Sequence, residues 1–419
     1  MRSFSPTPDQ RIEIDRIVSV VPPRPFPTYD HLSYGDFLDN HLIQNTPFLL
    51  SATNTFTWPA AGLFRKPNTQ STASLPNLPA LRQYSHHVVP VANTLQPQFS
   101  EFERTERPLG EVLDLWEDQG SEQGDGLYVK DWHLMAELES EGKGVGELYF
   151  VPECLRDDWL NPPYTPSPRT ERISNSASVS DFRFTYVGPA LTYTPLHRDV
   201  YGSYSWSANV VGRKMWWLFP PDKMGRVKDD NGELIFDVRH LEDEGGAIKI
   251  LQEEGEIIFV PSGWHHQVVN VDFVRTTATT LAHSQCISIN HNFFASPTLP
   301  HIYRALCVSQ DRVEDSIADV KGMIIERLGA KDDQWEKEWF QEVQNLLEMD
   351  AGWGWKGFWE TIMKNLKCPP SINAPTVSQR DDWIGGVIKQ YKKRREWVVL
   401  DNVRAIVEDI ESWIMTVWE

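Results

Sequence analysis

Six short runs between residues 182 and 294 limit what this chain can fold into more than any other feature. Phe182–Val187, Tyr193–His197, Ser205–Val211, Lys214–Phe219, Glu256–Val260 and Gln267–Val271 are rich in β-branched and aromatic residues, and Gly or Pro turns separate them. Several short strands at this spacing predict a sandwich or barrel. Before it, Tyr34, Phe37, Leu38 and Leu42 have helical spacing, Phe48–Leu50 and Leu127–Val129 read as strands, and Leu109–Trp116 as a helix. Residues 66–99 and 161–181, rich in Ser, Thr, Pro and Asn, read as loops. Residues 1–22 read as a tail running into Pro22-Pro23-Arg24-Pro25. After Pro300 the texture is helical, ending in a stripe of Val399, Val403, Ile406, Ile410, Trp413 and Val417 that predicts packing against the barrel or a second subunit.

Charge narrows the function classes. The 419 residues carry 59 acidic and 40 basic side chains, a formal charge of -19, which disfavours a phosphate backbone as partner and favours basic proteins. The basic run Lys392–Arg395 reads as a solvated helix face. Four scattered cysteines form no CxxC pair, which argues against a zinc ribbon and a disulfide scaffold. Met1–Arg16 has no apolar signal core and no run approaches a membrane span, so a reducing compartment is expected, cytoplasm first and nucleus second.

Candidate chemistry concentrates at two places. In Thr194-Pro195-Leu196-His197-Arg198-Asp199, residues two apart on a strand share a face, so His197 and Asp199 can bind one cation. Two histidines and one carboxylate would hold octahedral iron and leave positions open for a co-substrate and dioxygen. The missing histidine is offered by Val260-Pro261-Ser262-Gly263-Trp264-His265-His266, where a turn ends an apolar strand; extended backbone would send His265 and His266 to opposite faces. Lys214 lies among residues expected to be buried, and a buried ammonium is costly without a counter-charge. A dicarboxylic co-substrate would supply one, with Thr194 adding a hydroxyl. The string His197-Arg198-Asp199 also spells the HRD of kinase catalytic loops, but the asparagine due five residues later is Tyr204, and no phosphate loop accompanies it.

These motifs, together with Leu127-Tyr128-Val129-Lys130-Asp131-Trp132-His133-Leu134, Ser203-Tyr204-Ser205-Trp206-Ser207 and Ile287-Ser288-Ile289-Asn290-His291-Asn292, make the chain similar to jumonji-C hydroxylases from about Ser33 to Phe294. The resemblance implies a mainly β fold with α: a double-stranded β-helix, or jelly-roll (cupin), core with N-terminal supporting elements over 23–296 and a helical C-terminal region over 297–419. It implies Fe(II), 2-oxoglutarate and O2, with ascorbate supportive. Iron would be held by His197, Asp199 and His266, and the co-substrate by Lys214, Thr194 and Asn292. Members of this family hydroxylate a lysine of the eukaryotic peptide-chain release factor, so a protein partner is expected. A lysine demethylase uses the same chemistry at iron, though no zinc-based reader module accompanies it here. A non-catalytic cupin scaffold is disfavoured by the complete ligand set. Residues Phe273–Gln285 depart from the family pattern, which has a short turn there; they are either a loop extension or translated intron, and displacement of the next strand would move Asn290 and Asn292.

Overall fold

Thirteen strands build the two large sheets of the computed structural model: β1 (Thr28–Tyr29), β2 (Phe48–Leu50), β3 (Val88–Gln98), β4 (Glu101–Pro108), β5 (Leu127–Trp132), β6 (Arg183–Gly188), β7 (Tyr193–Arg198), β8 (Tyr204–Val211), β9 (Lys214–Phe219), β10 (Ile248–Gln252), β11 (Ile257–Val260), β12 (His265–Asn270) and β13 (Cys286–Phe293). The structure describes residues 13, 15–18, 26–67, 74–118, 122–161, 181–271, 273–275, 281–283, 285–330, 334–368, 371 and 373–416. Residues 22–25, most of the expected loop at 161–181, the threonine run at 276–280 and Val417 lie outside them.

The larger sheet has the order β1-β2-β11-β8-β13-β6-β5-β3-β4 and the smaller β10-β9-β12-β7. From β6 to β13 the chain passes back and forth between the two sheets, with only β9 and β10 consecutive in one of them, which is the expected double-stranded β-helix. The sequence dictates this through period-two patterning. Along β9, Met215, Trp217 and Phe219 face one apolar cluster while Trp216 and Leu218 face another between the sheets, so both faces are buried and the strand reads as an unbroken apolar run. Along β8, Trp206 and Ala208 join the cluster under the helices, whereas Ser205 and Ser207 take the intervening positions on the other face.

Two expectations are corrected. The stretch 66–99 is not all loop: β3 occupies Val88–Gln98 and pairs with β5 and with the sheet-edge strand β4. Pro90 and Pro97 disguised it, yet Val89 and Val91 are buried while Val88 is exposed, an alternation that marks a strand. Strand β4 is equally disguised by charge, as suits a sheet edge that must not pair further. Secondly, the N-terminal stretch is not wholly a tail, because Ile17 is buried against Leu196, Met215 and Trp217. Burying one such side chain contributes about 1.5–3 kcal/mol. Within the departure at 273–285, Phe273–Arg275 pairs antiparallel with Leu281–His283. Strand β13 then starts in register, Cys286 opposite Gly188, so Asn290 and Asn292 stay on it.

Among the described residues seven C-terminal helices follow: α1 (Leu299–Ser316), α2 (Ala318–Leu328), α3 (Gln334–Ala351), α4 (Trp355–Leu366), α5 (Val377–Tyr391), α6 (Arg395–Val399) and α7 (Asp401–Thr416). Their core is aromatic, with Trp355, Phe358, Trp359 and Tyr391 in mutual edge or tilted contact. The buried face of α7 carries Val403, Val407 and Ile410 and packs on α4; Trp413 of the expected stripe is instead 36% exposed. The basic run is more than a solvated face, since Lys392 and Arg395 pair with Glu411 and Glu336 and tie helices together, while Arg394 pairs locally with Glu396. The four cysteines are free, and among the described residues no helix is long and apolar enough to cross a membrane.

Candidate active site

Register places the first two candidate ligands. In the antiparallel pair β7–β12, His197 lies directly opposite His266 and Arg198 opposite His265. A slip of one residue would turn each histidine to the other face. The turn before β12 depends on Gly263, whose φ of 74° favours glycine. His266 is 4% exposed, and its ring centroid is 4.3 Å from that of His197. Asp199 continues beyond β7 in extended conformation and so shares the face of His197. One ligand atom from each of His197, Asp199 and His266 lies within 4.8 Å of the others. Geometry brings His266, not His265, to the trio, and His265 lines an outer cavity instead.

The donor atoms fit a metal. The Nδ1 of His197 lies 2.8 Å from the Pro195 carbonyl, and that of His266 lies 3.4 Å from the Trp264 carbonyl. A carbonyl can only accept, so each Nδ1 carries the proton and each Nε2 keeps a free lone pair. Burial, with His266 and Lys130 nearby, holds His197 well below the usual imidazole range, which keeps it neutral. Ser205 donates to Asp199 Oδ2 at 2.7 Å and leaves Oδ1 for a cation. Hydrogen bonds of this kind orient ligands, so Ser205→Ala is expected to weaken iron binding about 10- to 100-fold while barely changing the melting temperature. Titration of the metal-free protein measures it; unchanged affinity would mean that Asp199 is held by other contacts.

A narrow cavity collects every residue expected at the site: Thr194, His197, Asp199, Lys214, His266 and Asn292. Lys214 is 2% exposed at its inner end, and no carboxylate of the described residues pairs with it. Its Nζ lies 3.4 Å from the Tyr128 hydroxyl and 5.6 Å from the Tyr186 ring centroid. Burial lowers its pKa. Thr194 and Asn270 are beside the Tyr128 hydroxyl. An ammonium ringed by neutral donors fits a carboxylate of an acyclic diacid reaching in from the metal. Asn292 lines the cavity, but its amide donates to Ser203 Oγ at 3.0 Å. Tyr128 and Tyr186 were missed from sequence as site residues; only the alternation of Leu127–Trp132 could have pointed Tyr128 inward.

Jelly-roll sheets with a His-Asp-His trio at one mouth and a buried lysine behind it define an iron- and 2-oxoglutarate-dependent dioxygenase, taking Fe(II), 2-oxoglutarate and O2. The comparisons agree. The profile of the cupin-like domain matches residues 35–299, and the chain belongs to the cupin-like, jumonji-C family of 2-oxoglutarate and iron-dependent oxygenases. It is 31% identical over 349 residues to the Gallus gallus protein named 2-oxoglutarate and iron-dependent oxygenase JMJD4, covering 80% of this chain and 72% of that one. Against the Homo sapiens protein of the same name, identity is 33% over 304 residues, 68% of this chain and 65% of the other. An Arabidopsis thaliana protein named arginine-specific demethylase JMJ20 is 33% identical over 306 residues, 69% of this chain and 61% of its own.

Proposed function

We propose that the chain is a protein hydroxylase that adds one oxygen atom to a lysine side chain of the peptide-chain release factor, in the cytoplasm. The observation that carries a protein substrate is the width of the approach. His197 and Asp199 open into a cavity of about 320 Å³, which shares walls with an outer one of about 650 Å³, far more space than a diacid needs. The release factor itself rests on the family likeness.

Under this proposal His197, Asp199 and His266 hold iron, and Lys214 holds the remote carboxylate of 2-oxoglutarate with help from the Tyr128 and Thr194 hydroxyls. Bound iron with its co-substrate would supply an oxidant for an unactivated C–H bond, with succinate and carbon dioxide as by-products. The remaining work belongs to the chain. Ser205 fixes the carboxylate of Asp199, the Pro195 and Trp264 carbonyls fix the imidazole tautomers, and Trp216 and Val268 give the cavity an apolar wall.

Incubation of the protein with iron, ascorbate, 2-oxoglutarate and release factor is expected to add a single oxygen to one lysine, read by mass spectrometry, and His197→Ala should abolish it. A demethylase is the second reading, favoured by the name of the Arabidopsis relative. Loss of a methyl group from a methylated peptide, with formaldehyde released and no stable hydroxylation, would decide for it.

A further inference from the structure

A second cluster of metal-binding side chains lies outside the iron cavities, where the turn leading into β3 meets the helix Leu134–Ser140. His86 and His87 are neighbours in sequence, and on extended backbone they would point apart. The backbone N–H of His87 instead donates to the Tyr84 carbonyl at 2.9 Å, so the pair sits on a turn. Their ring centroids are 4.5 Å apart and the rings stand at 88° to one another. Both converge on Glu141, the residue that caps the helix. His86 Nε2 lies 3.4 Å and His87 Nε2 3.0 Å from the same oxygen, Glu141 Oε1. None of the three lines the cavities around His197 and Asp199.

These distances are those of a ligand shell. A tetrahedral metal bound to nitrogen and oxygen at about 2.0–2.1 Å sets its ligands ~3.3 Å apart. One ligand atom from each of His86, His87 and Glu141 lies within 4.8 Å of the others, and His86 is exposed and free to turn inward. The surroundings orient the same atoms. The His87 side chain is 4% exposed, and its Nδ1 lies against the Glu137 carboxylate, whose Oε2 also accepts from the Trp132 indole at 3.3 Å. A carboxylate behind an imidazole fixes the tautomer that leaves Nε2 its lone pair for a metal. On Glu141, Lys143 pairs with Oε2 at 3.0 Å and leaves Oε1. Two imidazoles and one carboxylate, with a fourth position open to solvent, are a donor set that suits zinc.

We propose that His86, His87 and Glu141 form a second metal site, for a divalent transition-metal ion such as Zn2+, with Glu137 positioning His87. The ion would join the turn before β3 to the helix that follows β5, two strands that already pair in the larger sheet. Because the three ligands meet only in the folded chain, binding there adds to stability. The site shares no residue with the iron trio or its cavities, so it stands whether or not the protein hydroxylates a lysine.

The test is zinc binding by the untagged full chain carrying His197→Ala and His266→Ala, which strip two ligands from the iron site. Competition with a chromophoric chelator should show one zinc per chain, and zinc should raise the melting temperature. Glu137→Gln, which removes the positioning carboxylate, is expected to weaken binding about tenfold, and loss of a ligand in His86→Ala or Glu141→Gln about 100-fold or more. His86 and Glu141 are exposed, so these two variants should fold as the parent does. The chain with its iron site intact gives an independent reading: it should hold one zinc more than its own Glu141→Gln variant. Absence of bound zinc from the first protein overturns the proposal and leaves His87 as a cation bridging two carboxylates. Zinc held with equal affinity after both His86→Ala and Glu141→Gln overturns it too, because the ion would then sit on other surface groups. The readout is metal content and melting, so failure of the proposed hydroxylation would leave it untouched.

Discussion

Lys214→Met should make the metal- and co-substrate-free protein more stable while depriving it of 2-oxoglutarate. Lys214 is 2% exposed, its ammonium donates to the Tyr128 hydroxyl at 3.4 Å, and no carboxylate of the described residues balances it. Burying a polar group so poorly compensated costs about 1–3 kcal/mol, and methionine fills a similar volume without that cost. The melting temperature of the apo-protein should therefore rise. The co-substrate should lose its counter-charge in the same step. Truncating one partner of a buried, hydrogen-bonded charge pair costs about 2–5 kcal/mol, or roughly 30- to several-thousandfold in affinity. Calorimetric titration with 2-oxoglutarate and thermal melts, with and without it, would show the two opposite effects. A variant that is both less stable and still saturable would falsify the assignment.

The pH dependence follows from the same burial. The folded-state pKa of Lys214 is lowered, so between that value and the unfolded one near 10.5 the unfolded chain binds more protons. Stability contributed at this position then rises with pH across that window. Affinity for the diacid should move the other way, falling as pH passes the lowered pKa and the ammonium is lost. Lys214→Met should flatten both slopes.

The second large effect is at the metal. His197→Ala or Asp199→Ala should abolish iron retention and lower turnover at least about a thousandfold, since a bound metal supplies several kcal/mol of barrier reduction. The melting temperature should shift by only a few degrees, because neither side chain belongs to the apolar clusters. Iron content per chain, succinate formation and melting curves separate these outcomes. Full turnover in both variants would end the iron assignment; collapse of the fold in both would mean that these residues hold the barrel mouth together even without metal.

Much of this site was legible in the chain because its signals are local. Two-residue spacing on a strand puts His197 and Asp199 on one face whatever surrounds them, and a Pro-Ser-Gly turn before Trp264-His265-His266 reverses the chain wherever it is placed. Strands β6 to β9, β11 and β12 announced themselves for the same reason: period-two patterning between turns is a property of the sequence. Strands β3 and β4 did not, because prolines in one and charges in the other obscured local propensity, and their pairing partners decided.

What the sequence determined by itself, then, is a β sandwich or barrel core, the iron-ligand candidates and a lysine that had to be either exposed or answered by an anion. Only the tertiary structure decided that His266 rather than His265 faces His197, since that follows from the β7–β12 register. It also enclosed Lys214 between Tyr128 and Tyr186, which come from strands on the other sheet. It turned α7 so that Val407, not Trp413, is buried, and it set one face of α1 over the barrel mouth. These outcomes share one physical reason. Each depends on which distant surfaces meet, and contact between surfaces far apart along the chain is fixed by the packing of the whole molecule, not by the propensity of any segment.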